Sequence, residues 1–369
     1  MRLKLNKSLI TTLLVFMSLF IISSSVLAAP GTSGKWSNRT QTLFVQTGMS
    51  SKYVTAYNSG ASKWRTKSNF NVSTKTGSIT NSFAASTTYD SSAGWDGIAY
   101  STTSSSGIRK SSKIYFNTYY TGRSVYTASI LSGIATHETG HGLGLTHTST
   151  VETSSVMFPY TFKSDGKTSA RSLSPSSADI SVVNKLYPKT SSSKSLEETD
   201  DSDTVTLTPS WAVYYENEEE LADASDLIIE GTVGEHKNLD YTKDQFYTYT
   251  TISDVNVKDI IKGEELNKGG NIEIRQMGGT DGETTVITHD STILQEGQNV
   301  ILFLRQLEDG TYSPINQDDS IYLKTKIMDN TTVNALSKNK NTKKQEAFFN
   351  GKNGIVLSNE IISNIESQY

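Results

Sequence analysis

Ile134-Ala-Thr-His-Glu-Thr-Gly-His-Gly-Leu-Gly-Leu-Thr-His147 is the stretch that decides the fold and the chemistry of this sequence. Four residues of α-helix turn the chain through about 400°, so His137 and His141 lie one turn apart on the same helix face. Both imidazoles can therefore reach one metal ion. Glu138 can reach a water molecule on that ion without binding the metal itself.

The third histidine requires the helix to end early. Six further residues of ideal helix would rotate His147 by about 240° from His141, away from the metal. Gly144 is predicted to end the helix, because glycine readily takes the left-handed conformation that reverses the chain. Three neutral imidazoles leave one open position on a tetrahedral zinc ion, which is typical of a catalytic site. We therefore predict one catalytic Zn²⁺ held by His137, His141 and His147, with Glu138 as general base.

The motif resembles the metzincin clan of zinc endopeptidases, whose signature joins this histidine string to a methionine turn. Ser155-Val-Met-Phe-Pro-Tyr160 is similar to that turn, and its Met-aromatic-Pro order is similar to that of the matrixins within the clan. The resemblance covers most of residues 29–188 and none of the rest. It implies a zinc metalloendopeptidase in which Met157 is a hydrophobic support under the histidines.

The same resemblance suggests where substrate would bind. Gly97-Ile-Ala-Tyr-Ser101 is similar to the substrate-binding edge strand of matrixins, to which an extended peptide would add through backbone hydrogen bonds. Tyr160 fits a pocket wall better than a second donor to the oxyanion, because it lies three residues beyond Met157. The residues expected to contact substrate are Gly97, Ile98, Ala99, Tyr100, Pro159 and Tyr160.

Several residues depart from the family pattern. Tyr100 and Tyr115 stand roughly where matrixins usually carry histidine ligands of a structural zinc, so we expect no second zinc. Ca²⁺ has no clear ligand set, because the nearby carboxylates are only Asp90, Asp96 and Asp165, and calcium sites usually want more oxygen charge. The chain has no cysteine, which excludes disulfides and the propeptide-cysteine latency of most matrixins.

The start of the chain predicts secretion. Residues 1–28 read as a signal peptide, with a basic leader, an apolar run over 9–22 and small residues before a cut at Ala29. A membrane anchor is the alternative, but the run is shorter than the roughly 20 apolar residues of a spanning helix. We therefore expect an extracellular protein without a membrane anchor.

Composition and periodicity predict two folded domains. Residues 29–188 are expected to be an α+β domain, a mixed twisted sheet with an active-site helix over 127–144 and a C-terminal helix over 176–186. Another helix is predicted over 51–68. Residues 189–203 have one apolar residue in fifteen, which predicts a flexible acidic linker. Residues 204–369 are expected to form a separate β-rich barrel or sandwich with a single helix, over 216–224.

The two halves carry opposite charge. Residues 29–188 hold 15 basic and 6 acidic side chains, whereas residues 189–369 hold 16 and 32. Such surfaces attract within about a Debye length, so the acidic domain could dock on the basic one as a folding aid or inhibitor. Two independently soluble surfaces are the alternative. We expect protein or peptide substrates, no nucleic-acid partner and a monomer, and we interpret His236 and His289 as ordinary exposed side chains.

Two other interpretations stay open. The chain could be a non-catalytic extracellular binding protein in which zinc is only structural. It could also belong to another hydrolase class, in which a distant glutamate completes the His-Glu-x-x-His site. Loss of metal on removal of His147 separates the second from the metzincin interpretation, and bound zinc without proteolysis would favour the first.

Overall fold

The computed structural model describes residues 29–149, 152–189, 203–238, 249–263, 268–282, 285–326 and 346–369. The predicted signal peptide and nearly all of the predicted linker lie outside these residues. Among the helices that are described, none is both long and apolar enough to cross a membrane.

The first half of the chain combines six strands with four helices in its described part. The strands are β1 (Thr40–Gln46), β2 (Asn71–Gly77), β3 (Phe83–Thr88), β4 (Trp95–Thr103), β5 (Arg109–Asn117) and β6 (Tyr160–Phe162). The helices are α1 (Ser51–Lys67), the short α2 (Thr118–Thr121), α3 (Ala128–Gly142) and α4 (Ser177–Leu186). The α+β class and the three long helices predicted from periodicity are confirmed.

Helix capping explains where the helices begin. The Thr127 side chain accepts a hydrogen bond from the Ile130 amide and starts α3. Ser176 and Asp179 form a reciprocal capping box at the start of α4. Such caps satisfy amide groups that have no partner within the helix.

Helix α1 packs against α3, and the Trp64 indole donates to the Thr136 carbonyl at 2.7 Å. These contacts fix α3 over the core.

Strands from both halves share the first sheet. Within the described residues it has nine strands, with β11-β12-β7-β4-β5-β3-β1-β2 along its path and β6 paired to β7. Strand β7 (Thr204–Val213), β11 (Gly279–Thr280) and β12 (Thr285–Thr288) come from the region predicted to be separate. The expected boundary near residue 204 therefore does not divide this sheet.

Strand β4 is an inner strand of this sheet. It pairs with β5 on one side and with β7 on the other, both antiparallel. The expectation that residues 97–101 form a free edge is therefore wrong, because residues 204–213 supply the backbone partners that an edge strand would lack.

The second sheet belongs to the second half of the chain. Its described strands run in the order β14-β10-β9-β8-β13-β15-β16-β17, and β14 also pairs with β13. Five strands therefore close into a ring, which corresponds to the barrel among the two predicted β architectures, barrel or sandwich. The strands are β8 (Leu227–Asn238), β9 (Thr250–Lys262), β10 (Asn271–Met277), β13 (Asn299–Gln306), β14 (Tyr312–Pro314), β15 (Ile321–Lys326), β16 (Glu346–Phe349) and β17 (Val356–Leu357).

Two α-helices accompany this sheet in the described residues, α5 (Glu218–Ala224) and α6 (Asn359–Gln368). The expectation of a single helix in this half is wrong. Helix α6 begins at Ser358, whose side chain accepts from the Ile361 amide, and it buries Ile365. One mainly apolar face, rather than a long apolar run, is enough to hold this terminal helix.

Gly144 takes the conformation that the sequence requires of it. Its φ is 106°, and the Leu145 amide donates back to the Gly140 carbonyl at 3.1 Å. A Cβ at this position would also clash with the carbonyl oxygen of Gly34. The reversal that ends α3 therefore depends on glycine twice, for its φ and for its lack of a side chain.

Gly144→Ala is expected to destabilise the protein by more than the roughly 1–2 kcal/mol that a left-handed conformation costs an ordinary residue. Chemical denaturation would measure the free energy of unfolding. Gly166→Ala is the matched control, because Gly166 has a φ of 62° and open space where a Cβ would stand. Equal losses in the two variants would show that contact with Gly34 contributes nothing.

Candidate metal centre

The structure brings the three predicted histidine ligands together. One ligand atom from each of His137, His141 and His147 lies within 4.8 Å of the other two. Helix α3 supplies the first two, whose Nε2 atoms are 2.8 Å apart. His147 follows the reversal at Gly144, and its ring centroid lies 5.2 Å from that of His137 and 4.8 Å from that of His141.

The Nδ1 atom of each ring has a partner outside the cluster. His137 Nδ1 lies 2.7 Å from the Val156 carbonyl oxygen, and His141 Nδ1 lies 2.8 Å from that of Leu145. His147 Nδ1 lies 2.7 Å from a carboxylate oxygen of Asp290. When Nδ1 carries the proton that these acceptors need, Nε2 is left as the metal-binding atom.

These residues fit a zinc ion. His147 Nε2 is buried and has no hydrogen-bond partner among the described residues, as expected for an atom reserved for a ligand. Burial lowers the pKa of His137 and of His141 well below the ordinary histidine value, and neighbouring positive charge adds to the effect. Both shifts favour the neutral imidazole, which is the form that binds zinc.

The methionine turn at residues 155–160 packs against α3, the helix that carries His137 and His141. Met157 is fully buried in the core, and its sulfur packs against Gly140 of α3. Asp179 of α4 accepts hydrogen bonds from Ser155 Oγ at 2.5 Å and from the Val156 amide at 3.1 Å. Since the Val156 carbonyl faces His137, the cap of α4 helps to orient the first histidine.

Glu138 is buried beside the histidines. Neither of its carboxylate oxygens has a hydrogen-bond partner among the described residues, and the side chain lies against Gly97 of β4. Burial raises the pKa of Glu138 well above its ordinary value, while the positive charge of Arg171 lowers it and the negative charge of Asp96 raises it further. A carboxylate held this way can accept a proton readily.

The second half of the chain contributes a carboxylate that sequence reasoning missed. Asp290 follows β12 and bonds to His147, and its other oxygen lies 3.4 Å from Lys352 Nζ. Burial alone would raise the pKa of Asp290, but Lys352 and the hydrogen bond with His147 outweigh it and keep the pKa below its ordinary value. Asp290 is 143 residues from His147, and nothing in the local sequence signals their contact.

The residues predicted to bind substrate lie near the site, but they are already paired. Gly97, Ile98, Ala99 and Tyr100 form backbone pairs with β7, and Pro159 accepts from the Trp211 amide at 2.8 Å. The Tyr160 hydroxyl donates to Asp319, a residue of the second half.

The residues weighed as calcium ligands are engaged in other contacts. Asp90 and Asp165 accept hydrogen bonds from their own loops. Asp96 accepts from the Tyr126 hydroxyl at 3.0 Å, and burial raises its pKa to about 6.

The two histidines of the second half differ from each other. His236 is exposed on β8, as predicted. His289 is half-buried next to Asp290, so its predicted exposure is wrong. The chain path through β12, which the sequence did not reveal, carries His289 towards the metal site.

Comparison with known families agrees with this geometry. Residues 35–188 match the model of the Matrixin family. This part of the chain is a matrixin domain. No curated protein matches the chain. The matrixin domain contains all three histidines of the cluster, whereas Asp290 and β7 lie outside it. Matrixins bind a catalytic zinc and are generally extracellular, and the histidine cluster fits such a zinc site.

Asp290→Ala is expected to weaken zinc binding about 10- to 100-fold, because carboxylates that orient histidine ligands typically contribute that much. Competition against a chelator of known affinity would measure the change in the full chain. Asp309→Ala is the control, since Asp309 is a more exposed carboxylate that pairs with Arg275 within the second half. Unchanged affinity in Asp290→Ala would show that the contact with His147 does not orient the ligand.

His147→Ala is expected to abolish stoichiometric zinc binding, because two histidines alone do not complete the site. The metal content after gel filtration would be measured by elemental analysis. His236→Ala should bind zinc as the wild type does, since His236 lies on β8 away from the cluster. Zinc retained in His147→Ala would point instead to a distant acidic ligand.

Proposed function

We propose that this chain is a secreted zinc-dependent endopeptidase that hydrolyses peptide bonds, with Glu138 as general base. The observation that carries the proposal is the cluster of three histidines beside a buried carboxylate that has no hydrogen-bond partner in the described chain. Family membership of residues 35–188 supports the same activity.

The proposed roles follow from the geometry. His137, His141 and His147 would hold the ion through their Nε2 atoms, with Val156, Leu145 and Asp290 fixing the three rings. Zinc bound there would supply a Lewis acid that lowers the pKa of water to about 7 and polarises a carbonyl group.

Glu138 is placed to move the proton. Glu138 is next to His137 in sequence, and its side chain reaches the space beside Gly97. Neither carboxylate oxygen has a hydrogen-bond partner among the residues that the structure describes. Glu138 would accept the proton of the attacking water and then deliver it to the departing amine. Burial raises the pKa of Glu138, which makes its carboxylate a stronger proton acceptor.

The proposed substrate is an extended peptide. Strand β4 and the segment at Pro159 and Tyr160 lie on two sides of β7, and both bind this extended strand through backbone groups, which suits recognition of a peptide by strand addition once β7 is displaced. Secretion is proposed from the basic and apolar leader at residues 1–28.

Glu138→Gln is expected to lower peptide cleavage by about 10²- to 10⁴-fold, the usual contribution of a general base, while zinc content stays at the wild-type level. A fluorogenic peptide library, read with and without a zinc chelator, would provide the assay. Glu152→Gln is the matched control, because Glu152 lies on a surface loop and its carboxylate caps Ser154. Full zinc occupancy without cleavage by the wild type or by any variant would favour a non-catalytic binding protein.

A further inference from the structure

Strand β7 lies between β4 and the segment at Pro159 and Tyr160, the two segments proposed to bind substrate. The space between these two segments is called the substrate groove below. Strand β7 is antiparallel to β4, with Gly97 opposite Ser210 and Ala99 opposite Thr208. It is also parallel to β6, with Tyr160 opposite Trp211. The Trp211 amide donates to the Pro159 carbonyl at 2.8 Å. Strand β7 thus pairs through its backbone with both segments that are predicted to bind substrate.

Side chains of β7 hold it beside the catalytic carboxylate. Ser210 Oγ donates to Asp96 at 3.1 Å and accepts from Arg171 at 2.7 Å. Asp96 and Arg171 are the two charged groups that act on Glu138. Trp211 is 1% exposed and belongs to an apolar cluster with Trp95 and residues of both halves. Polar contacts with Asp96 and Arg171 and apolar contacts with the Trp95 cluster therefore anchor β7 next to Glu138.

The opposite edge of β7 is held by the second half of the chain. Strand β12 pairs with it in parallel over Val205 to Leu207, and Asp290 lies two residues after the end of β12. The same short segment thus supports β7 and contacts His147. Since a strand edge can pair with only one neighbour at a time, a substrate cannot add to β4 while β7 is in place.

We propose that residues 204–213 occupy the substrate groove as an internal, substrate-like strand, and that the full chain is latent until this strand leaves. This inference rests on the proposed peptidase function. An intramolecular strand competes with a free peptide at an effective concentration of the order of millimolar. Latency by this route needs no cysteine, and the chain has none.

Contacts away from the groove fix the second half in this position. The Arg305 guanidinium donates to the Ala93 carbonyl and to the Tyr120 hydroxyl, each at 3.2 Å, and to the Ser92 carbonyl. It borders a cavity of about 710 Å³ between the two halves, which none of the three metal-site histidines lines. The cavity is also lined by Trp211, Ala212 and Val213 of β7. A change at Arg305 can therefore loosen the second half and β7 without altering any of the three histidines.

The test compares the zinc-loaded full chain with its Arg305→Glu variant on a fluorogenic peptide library. Glutamate would face carbonyl oxygens that now accept from arginine, so the contact becomes repulsive. We expect kcat/KM to rise at least tenfold. Lys268→Glu is the matched charge reversal, because Lys268 is exposed and pairs with Asp259 of the second half. Trp211→Ala is a second variant that loosens β7 itself.

Two readouts do not depend on cleavage by the wild type. Hydrogen exchange in the zinc-free protein should be slow at the amides of β4 and faster in both loosened variants. A synthetic peptide of residues 204–213, Thr-Val-Thr-Leu-Thr-Pro-Ser-Trp-Ala-Val, should inhibit the opened variant, and a scrambled peptide should not. Both effects follow if the groove binds this strand in the way it would bind substrate.

The outcomes separate the two proposals. Chelator-sensitive cleavage at equal rates by the wild type, Arg305→Glu and Trp211→Ala would overturn latency and leave the peptidase function standing. Faster exchange at β4 in the variants, with zinc bound and no cleavage by any of them, would overturn the peptidase function and latency with it. Exchange and cleavage unchanged in both variants, together with no inhibition by the peptide, would overturn the proposal that β7 is a displaceable occupant.

Discussion

The chain reversal at Gly144 is the constraint on which the rest of the site depends. Helix α3 can present only His137 and His141 on one face, and a continued helix would carry the third histidine away. The positive φ of Gly144 ends the helix within one turn, and the Leu145 carbonyl then accepts from the second histidine. A single backbone conformation therefore both stops the helix and orients one of its ligands.

Around this reversal, the orientation of each histidine comes from a different part of the chain. Val156, in the methionine turn, faces the first ring and is itself held by the capping carboxylate of α4. The third ring depends on Asp290, which lies beyond the matrixin domain. The metal centre thus depends on both halves of the described fold, although its three ligands lie within eleven consecutive residues of the sequence.

Both halves of the described chain contribute strands to one sheet. Charge composition predicts an electrostatic attraction between two domains, but the structure joins the two halves through backbone pairing of β4 with β7 and through a buried apolar cluster. Surface ion pairs such as Lys110 with Asp203 and Lys163 with Glu216 cross the same junction. Exposed pairs of this kind contribute little, so strand pairing and burial dominate the association.

The sequence alone determined the histidine ligands, the neighbouring glutamate, the helix-ending glycine and the long helices of the first half. These features depend on spacing within one or two helical turns, which residue order specifies directly. Only the tertiary structure decided that residues 204–213 cover β4 and that Asp290 reaches His147. Backbone hydrogen bonds are the same for every strand, so the partner of an edge is selected by packing between residues that are far apart in the chain.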